Sequence, residues 1–383
     1  MKIKFLLPLL LLLWSCGESD QGKEGQVSAQ INVSLDTVMV DAGDEFLFLQ
    51  DNLFNSQLTA DDHYLVNYNR KDGIAEWIDL DELKLKKVLQ FEMDGPNAIP
   101  PYTSGFLIEE DENIFFWNYR FYKIFDQKGQ LVKDLELEKL APELLGGSDA
   151  YPSRFYLDPK NSNRLLGHFV KWEDKTYFML DIDLEAGSIT EMNLPLFEKT
   201  QVYNTDIMYD GRWMGSYGPG IYPASTSDKV ILATNVLNEV QVFDLVTDSL
   251  YTKSWDTPLL GSKRTYLPPK EADGQTGEIE EIRKLAEQDI SYGRLVWDKE
   301  DRQFYRFSTK SYFGEEKDEY GSYVVTRADV FLSVFDEDLE LIAEALIPEM
   351  NSVPKRHFVK DGKIWVYINM EDELGFVSVE VDF

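Results

Sequence analysis

Along most of this chain, apolar residues recur at every second position or form short runs, and they do not follow helical spacing. Residues 376–383 alternate in this way, and residues 240–245 form a short run rich in valine and phenylalanine. Asp-Gly, Lys-Gly and Asn-Glu pairs, which favour tight turns, bound such segments. Short alternating segments between turns are typical of antiparallel strands. Many of them in one chain predict an all-β sandwich, barrel or propeller.

One unit recurs: an apolar strand, a turn, a strand that ends near an aspartate, an acidic or glycine-containing turn, and another strand. The closing aspartates are Asp79, Asp126, Asp181, Asp244 and Asp336. An aspartate at a strand end favours the turn, because its side chain accepts hydrogen bonds from the backbone just beyond it. Cation binding by pairs such as Asp181/Asp183 or Asp336/Asp338 is the less favoured alternative, since no full set of oxygen ligands follows at loop spacing.

The clearest copy of the unit runs through residues 94–97 (Asp-Gly-Pro-Asn), 105–108, 112–116 and 122–131. It resembles a blade of NHL-type six-bladed β-propellers. The resemblance implies four-stranded blades, and blades of Kelch-like and related propellers contain about 40 to 50 residues. The expected blades are residues 53–91, 104–138, 151–194, 206–254, 290–347, and 355–383 together with 27–40.

The two ends of the chain are expected to form one blade. The C-terminal segment supplies about three strands, and residues 31–40 form an isolated alternating strand that could add the fourth. Such closure removes exposed strand edges. We therefore predict an all-β, six-bladed β-propeller over residues 31–383, with an N-terminal strand that closes the last blade.

Residues 256–292 interrupt the repeat with a partly helical insertion. Prolines and glycines are followed at 278–288 by a segment in which Ile279, Ile282, Leu285 and Ala286 share one helical face. This predicts a helix packed against the propeller, with a lid over a binding face as the alternative.

The N-terminus carries the pattern of a secretory signal peptide over residues 1–15. Lys2 and Lys4 precede an apolar run that is too short to span a membrane. Residues 13–16, Leu-Trp-Ser-Cys, resemble the lipobox of bacterial lipoproteins, which implies cleavage before Cys16 and its lipidation. An ordinary signal peptide with a chance cysteine is the alternative. Residues 16–30 read as a flexible tether.

The whole chain resembles the six-bladed-propeller lipoproteins of unknown function found in Bacteroidetes. The resemblance implies a cell-envelope, outer-membrane location and no established activity. Glu18 and Asp20 resemble the acidic export signals of surface lipoproteins in that group, but periplasmic and surface display both remain open. The net charge of −31 makes nucleic acid and anionic headgroups poor partners. The expected partners are the membrane, through the lipid anchor, and an envelope protein or a glycan.

Motifs for nucleotide binding, zinc binding and nucleophilic catalysis are missing, so we predict neither a metal nor a cofactor. His63, His168 and His357 are far apart in sequence and stand outside metal-binding motifs. A pair of carboxylates for glycan cleavage cannot be selected from 69 acidic residues.

Aromatic residues and cations near glycine-rich or hairpin segments are the candidate ligand-binding residues. Aromatic faces stack on sugars or peptides, and arginine holds carboxylates. Packing between blades is the alternative role for each. The candidates are Arg212, Trp213, Tyr217, Tyr222, His168, Trp172 and Arg154.

The favoured hypothesis is a membrane-anchored, non-enzymatic binding or scaffold propeller. The alternative is a glycan-acting hydrolase or lyase with carboxylates at the propeller channel, and a structural part of a larger envelope complex is a third possibility. Acidic side chains with raised pKa at one channel mouth would favour the enzyme, whereas arginines and aromatic residues without them would favour binding.

Overall fold

The computed structural model of the protein describes residues 31–145 and 150–383. The predicted signal peptide, Cys16 and the tether lie outside the described residues. Within the described part, strands form six four-stranded sheets and one three-stranded sheet. The all-β prediction is therefore confirmed, and the arrangement is propeller-like.

Each four-stranded sheet is antiparallel, with its strands in consecutive order except where the chain ends meet. The first three sheets follow the chain without interruption. Sheet 1 contains β2 (Ser56–Leu58), β3 (Tyr64–Asn69), β4 (Ile74–Asp79) and β5 (Lys84–Gln90); sheet 2 contains β6 (Gly105–Ile108), β7 (Ile114–Asn118), β8 (Phe121–Phe125) and β9 (Leu131–Asp134); sheet 3 contains β10 (Ala150–Asp158), β11 (Asn161–Lys171), β12 (Thr176–Asp183) and β13 (Ser188–Asn193).

The remaining four-stranded sheets lie in the second half of the chain, and the last of them also takes the first strand, β1 (Asn32–Met39). Sheet 4 contains β16 (Ile221–Ser225), β17 (Lys229–Thr234), β18 (Glu239–Asp244) and β19 (Ser249–Ser254); sheet 5 contains β21 (Ser291–Asp298), β22 (Gln303–Lys317), β23 (Tyr323–Asp336) and β24 (Leu341–Leu346); sheet 6 contains β25 (His357–Lys360), β26 (Lys363–Met370), β27 (Glu373–Asp382) and β1.

Strand β1 completes the last sheet. It pairs antiparallel with β27 along its whole length, from Asn32 opposite Asp382 to Met39 opposite Gly375. The predicted pairing of the N-terminal strand with the C-terminal unit is thus confirmed. Its physical basis is that β27 would otherwise expose an unpaired edge.

The predicted fourth unit, residues 206–254, is wrong at its start, because sheet 4 begins only at Ile221. The preceding hairpin, β14 (Thr205–Tyr209) and β15 (Arg212–Tyr217), belongs to the separate three-stranded sheet. There β14 pairs in parallel with β20 (Glu271–Asp273), a strand of the insertion. Between the two sheets stands Gly218-Pro219-Gly220, where proline lacks the N–H that would continue a strand ladder.

The helices are few and short apart from the predicted one, which is present as α4 (Glu278–Gln288). Its buried Ile279 and Ile282 pack with Ala272 and with the partly buried Ile207 and Tyr217 of the three-stranded sheet. The shorter ones are α1 (Leu137–Leu140), α2 (Pro142–Leu145), α3 (Pro195–Glu198) and a 3-10 turn at Gln201–Tyr203. Within the described ranges, no helix has the length and apolar composition needed to cross a membrane.

The core consists mainly of clusters between successive sheets. One cluster joins sheets 1 and 2 around Phe116, and others join each later sheet to the next. A further cluster joins sheet 6 to sheet 1, where Phe376 and Leu65 belong to the same buried group. The sheets therefore pack in cyclic order, and burial of apolar surface between them is the main stabilising contribution.

The strand-ending aspartates form the predicted turns in four sheets. Asp79, Asp126, Asp244 and Asp336 each accept two backbone N–H groups a few residues further on. In sheet 3 the same role falls to Asp183, while Asp181 pairs with an arginine.

Candidate ligand-binding site

The first strands of the sheets lie beside one another: β6 contacts both β2 and β10, and β21 contacts both β16 and β25. We call β2, β6, β10, β16, β21 and β25 the innermost strands and the region between them the centre. Arg154 of β10 donates a hydrogen bond from Nη2 to Gln57 Oε1 of β2, at 2.8 Å. Arg356, directly before β25, donates from Nε to Ser56 Oγ, at 3.0 Å. Side chains from sheets 1, 3 and 6 are therefore in direct contact across this centre.

Three guanidinium groups share the centre: Arg154, Arg356 and Arg294 of β21. Burial lowers the pKa of Arg356 well below its usual value, and the positive charges of Arg294 and Arg154 lower it further. Burial likewise lowers the pKa of Arg294, with a second contribution from Arg154. The three cations are thus close enough to repel one another. We call Arg154, Arg294 and Arg356 the arginine cluster.

No described carboxylate balances the arginine cluster. Within residues 31–145 and 150–383, none of its members forms an ion pair, and no acidic group is among the charges that shift their pKa values. Each member is half-buried, so part of each residue remains in contact with solvent. The centre is therefore a positive site inside a protein of strongly negative net charge.

Two members of the arginine cluster lie at β-bulges. The pairing of β10 with β11 shifts between Pro152 and Arg154, and that of β21 with β22 shifts between Tyr292 and Leu295. A bulge opposes two residues to one, bends the strand and changes the direction of a side chain. Here it frees Arg154 and Arg294 from the regular alternation of their strands.

Buried hydrogen-bond donors lie beside the arginine cluster. Arg154 Nε and the hydroxyl of Tyr156 have no hydrogen-bond partner among the described residues. Burial raises the pKa of Tyr156 and of Tyr222, so both hydroxyls keep their protons. Buried polar groups in folded proteins are nearly always paired. These atoms therefore offer hydrogen bonds to a bound molecule.

The insertion supplies an acidic group close to this region, Glu287 of α4. Its charge acts on Tyr217 and Tyr222, and burial raises its own pKa although Arg283 and Arg264 oppose the rise. Arg264 is held in place by the backbone carbonyl of Ile290 at 3.1 Å. The helix thus carries a polar edge towards the tyrosines that border the arginine cluster.

Two of the seven residues predicted from sequence, Arg154 and Tyr222, lie at this centre. Tyr217 is close to Tyr222, and the ring of Tyr217 also lies 6.0 Å from the guanidinium of Arg283. Arg212 is exposed at the start of β15. Trp213 is 52% exposed and donates to Asp206 at 2.9 Å, so it lies on the three-stranded sheet.

The second predicted pair is not brought into the centre. His168 is 1% exposed and lies parallel to Tyr177 with ring centroids 5.8 Å apart, against Phe197. Burial lowers its pKa to about 4. Trp172 is 54% exposed beside Tyr151, at 6.2 Å between ring centroids. A ligand-binding role for these residues stays a prediction.

Sequence reasoning missed Arg294, Arg356 and Tyr156. Arg294 lies within β21 and Tyr156 within β10, whereas Arg356 directly precedes β25. Arg294 follows Tyr292-Gly293, the same combination of an aromatic residue and a glycine that marked the predicted candidates, and this signal could have found it.

A second polar cluster joins sheets 6 and 1 at the end of β25 that lies farther from Arg356. His63 Nδ1 lies 2.7 Å from Asp81, and His63 Nε2 lies 3.5 Å from Asp79. Their three ligand atoms are close enough to hold a metal ion. However, Lys360 pairs with Asp81 and Lys86 lies 3.7 Å from Asp79, so both carboxylates already have cationic partners.

Comparison with known proteins identifies relatives by sequence and by fold. A family model described as "Domain of unknown function (DUF4221)" matches residues 28–346. No curated protein matches the chain. The crystal structure of a DUF4221 member from Bacteroides vulgatus is similar, with TM-score 0.66 and 14% identity, covering 92% of this chain and 98% of that one.

Two further solved structures are less similar. A candidate exported protein from Bacteroides fragilis has TM-score 0.52 and 10% identity, covering 92% of this chain and 96% of that one. The β-propeller domain of Cps50 (Swd1) from Myceliophteria thermophila has TM-score 0.39 and 8% identity, covering 91% of this chain and 99% of that one. At such identities, a likeness concerns the fold and not the activity.

Proposed function

The chain belongs to the DUF4221 family, and we propose that it is a non-enzymatic, ligand-binding six-bladed β-propeller anchored in the cell envelope. The observation that carries the binding function is the arginine cluster at the centre, bordered by tyrosines and without a carboxylate partner among the described residues. Binding sites on such folds are commonly concave and few, with a small number of convergent polar groups.

The charge at the centre favours binding over glycan cleavage. Hydrolysis of a glycosidic bond ordinarily requires two carboxyl groups roughly 5 to 9.5 Å apart. Burial raises the pKa of Glu76, Glu109 and Glu287, and the neighbouring Asp51 and Asp111 raise the pKa of Glu76 and of Glu109 further. None of these carboxyl groups is among the charges that act on the arginine cluster, so none is placed at the centre. Glu76 is moreover occupied by hydrogen bonds from the backbone N–H of Phe48 and from Asn67.

Six blades are proposed because six hydrophobic clusters link the six four-stranded sheets in cyclic order, the last joining sheet 6 to sheet 1. In a propeller, this cyclic packing leaves the innermost strands around a central channel. The arginine cluster would then line the channel, where one ligand contacts several blades at once.

The proposed location is the outer membrane, facing either the periplasm or the surface. The apolar run before Cys16 and the lipobox-like residues 13–16 support lipidation. Several acyl chains on one cysteine would give stable anchoring. The fold likeness to a candidate exported protein agrees with export.

Anchoring is tested by comparing the wild-type chain with Cys16→Ser in a bacterial host. The wild-type protein should label with a palmitate analogue and sediment with membranes, and the variant should do neither. A variant that still labels and sediments would contradict the lipid anchor while leaving the binding function untested by this experiment.

Binding is tested on protein purified from native envelopes without denaturation. Mass spectrometry of molecules released by unfolding should recover a bound small molecule or glycan intact. The glycans of an array incubated with the protein should remain uncleaved. Glycan cleavage by the wild-type protein that is lost in Glu287→Gln would overturn the non-enzymatic assignment. Arg302→Gln, an exposed arginine paired with Glu337, is the matched control for substitutions at the centre.

A further inference from the structure

We infer that the arginine cluster recognises a compact oxyanion that carries two or more negative charges, such as a phosphate group or a small di- or tricarboxylate. The inference rests on the proposed binding function and names its ligand class. It concerns Arg154, Arg294 and Arg356, the groups around them, and the charge that these residues leave unbalanced.

Among the described residues, the arginine cluster has neither the carboxylate partners of Arg164 nor the aromatic rings that surround Arg306. Arg164 pairs with Asp181 at 2.6 Å and Asp248 at 2.7 Å, and Asp158 lies 3.6 Å away. Arg306 is held by Asn238 and lies over the rings of Trp255, Tyr292 and Phe335. Although the chain has 69 acidic residues, none within residues 31–145 and 150–383 pairs with the arginine cluster, which leaves its charge to an external anion.

The number of unpaired cations sets the ligand charge. A monovalent ion such as chloride or acetate would neutralise one guanidinium group and leave the other two repelling each other. A dianion or trianion would neutralise two or three. His357, which follows Arg356, adds no charge near neutral pH, because burial and the nearby Arg294 lower its pKa to about 3.

The available donors suit an oxyanion. The guanidinium of Arg154 is fixed by Gln57 at 2.8 Å, and that of Arg356 by Ser56 at 3.0 Å, so each keeps N–H groups for a ligand. Arg154 Nε and the Tyr156 hydroxyl are free of described partners. Planar guanidinium groups match the paired oxygens of carboxylate and phosphate.

The surroundings restrict the ligand to a compact one. The arginine cluster lies among innermost strands, and the molecule outside it carries a net charge far below zero. A long polyanion such as nucleic acid would have to lie along that negative exterior, which repels it. A small anion can enter with most of its charge facing the three guanidinium groups.

The experiment measures anion binding by calorimetry on the full chain with Cys16→Ser, at constant ionic strength and pH 7.5. Inorganic phosphate and citrate represent the two chemical sources, and chloride and acetate are the monovalent controls. We expect phosphate or citrate to bind at least roughly 10-fold more tightly than either control, since hydrogen bonds to charged groups are the strong ones. Equal affinity for all four anions would overturn the inference.

Variants separate recognition from a structural role. Arg294→Gln and Arg356→Gln should each weaken the preferred anion by roughly 10-fold or more, Arg294→Lys by less, and the exposed Arg302→Gln not at all. Without ligand, Arg294→Gln should melt at the same temperature as the parent or higher, because it removes repulsion. A lower melting temperature with unchanged anion affinity would assign Arg294 a structural role and overturn the inference.

The outcomes also distinguish this inference from the proposed function. Recovery of an uncharged glycan from native protein, with no preference for multivalent anions, would overturn the ligand class and leave a binding propeller. Glycan turnover would overturn the non-enzymatic function itself.

Discussion

Gly293 is the residue whose replacement most directly links the fold to the arginine cluster. It lies in the bulge of β21, next to Arg294, where residues 293 and 294 face Phe307 of β22. A Cβ atom at Gly293 would lie 2.2 Å from the backbone carbonyl oxygen of Phe307, far inside normal contact. Because that oxygen belongs to the backbone, relief requires β21 and β22 to separate.

We expect Gly293→Ala to lower the free energy of unfolding by about 2 to 3 kcal/mol. Overpacking typically costs about 1 to 3 kcal/mol, and each ladder hydrogen bond lost when the strands separate adds about 0.5 to 1.5 kcal/mol. Alanine has less conformational entropy than glycine in the unfolded chain, which offsets about 0.4 to 1 kcal/mol of this loss of stability. Displacement of Arg294 should also weaken anion binding.

The assay is urea unfolding followed by fluorescence, read as a shift in midpoint at unchanged slope. Gly314→Ala is the matched control: it lies further along β22, and its Cβ would meet the side-chain methyl of Thr326 at 3.2 Å and the backbone nitrogen of Glu316 at an ordinary contact distance of 3.8 Å. It should change stability by less than about 1 kcal/mol. If Gly293→Ala were as stable as Gly314→Ala, the described bulge geometry and its role in aiming Arg294 would be refuted.

Three further substitutions test closure, histidine burial and turn formation. Phe376→Ala should lower the free energy of unfolding by about 3 to 5 kcal/mol, because Phe376 is fully buried between the last and first sheets, with its ring centroid 5.5 Å from that of Trp365. The control is Phe383→Ala, which changes an exposed residue at the end of the same sheet. Equal losses of stability in the two variants would contradict packing of sheet 6 against sheet 1. The folded-state pKa of His168 is about 4, below its unfolded-state value of roughly 6.5. As the pH drops from 6.5 to 4, the unfolded chain therefore takes up the proton first, and the contribution of His168 to the free energy of unfolding should fall by up to about 3 kcal/mol. His168→Phe should reduce the fall of the urea midpoint across that window, while His357, whose folded-state pKa is about 3, still contributes to it; an unchanged pH profile would show that His168 is not buried as a neutral group. Asp244→Ala should lower the free energy of unfolding by about 1 to 2 kcal/mol, because the backbone N–H groups of residues 246 and 247 lose their acceptor. A thermal melt indistinguishable from that of the wild type would rule out this contribution.

Local pattern predicted the parts of the fold that local physics determines. Alternation predicted the strands, apolar spacing predicted the helix at 278–288, and the turn aspartates form the expected hydrogen bonds in four sheets. The pairing of residues 32–39 with the C-terminal strand was predicted from a count of strands rather than from local pattern. Each of these features depends on residues close in sequence or on the need to pair an edge.

Partner choice between distant strands was not predictable from pattern. The hairpin at 205–217 alternates like any propeller hairpin, yet it pairs with residues 271–273 of the insertion instead of joining sheet 4. The local sequence of a strand does not specify the distant strand with which it will pair. The error in the fourth unit follows from that limit, with Pro219 as the one local feature that marks the break.

The candidate site was only half predicted for the same reason. Arg154 and Tyr222 were predicted because they stand near aromatic or glycine-rich segments. Arg294, which follows Tyr292-Gly293, and Arg356, which precedes His357-Phe358, have similar neighbours and were missed. Their importance comes from meeting Arg154 across the centre, where residues about 140 to 200 positions apart in sequence affect one another's pKa.

The arginine cluster conflicts with the rest of the molecule in a way that points to function. Elsewhere the chain uses its acidic excess to pair cations, as around Arg164, and it fills buried positions with apolar side chains. At the centre it instead places three like charges together, two of them on bulges that interrupt regular pairing. Such an arrangement opposes folding, since like charges repel and half-buried charges lose hydration. Departures of this kind from otherwise consistent local and global preferences are expected at functional sites, where a bound ligand restores the balance.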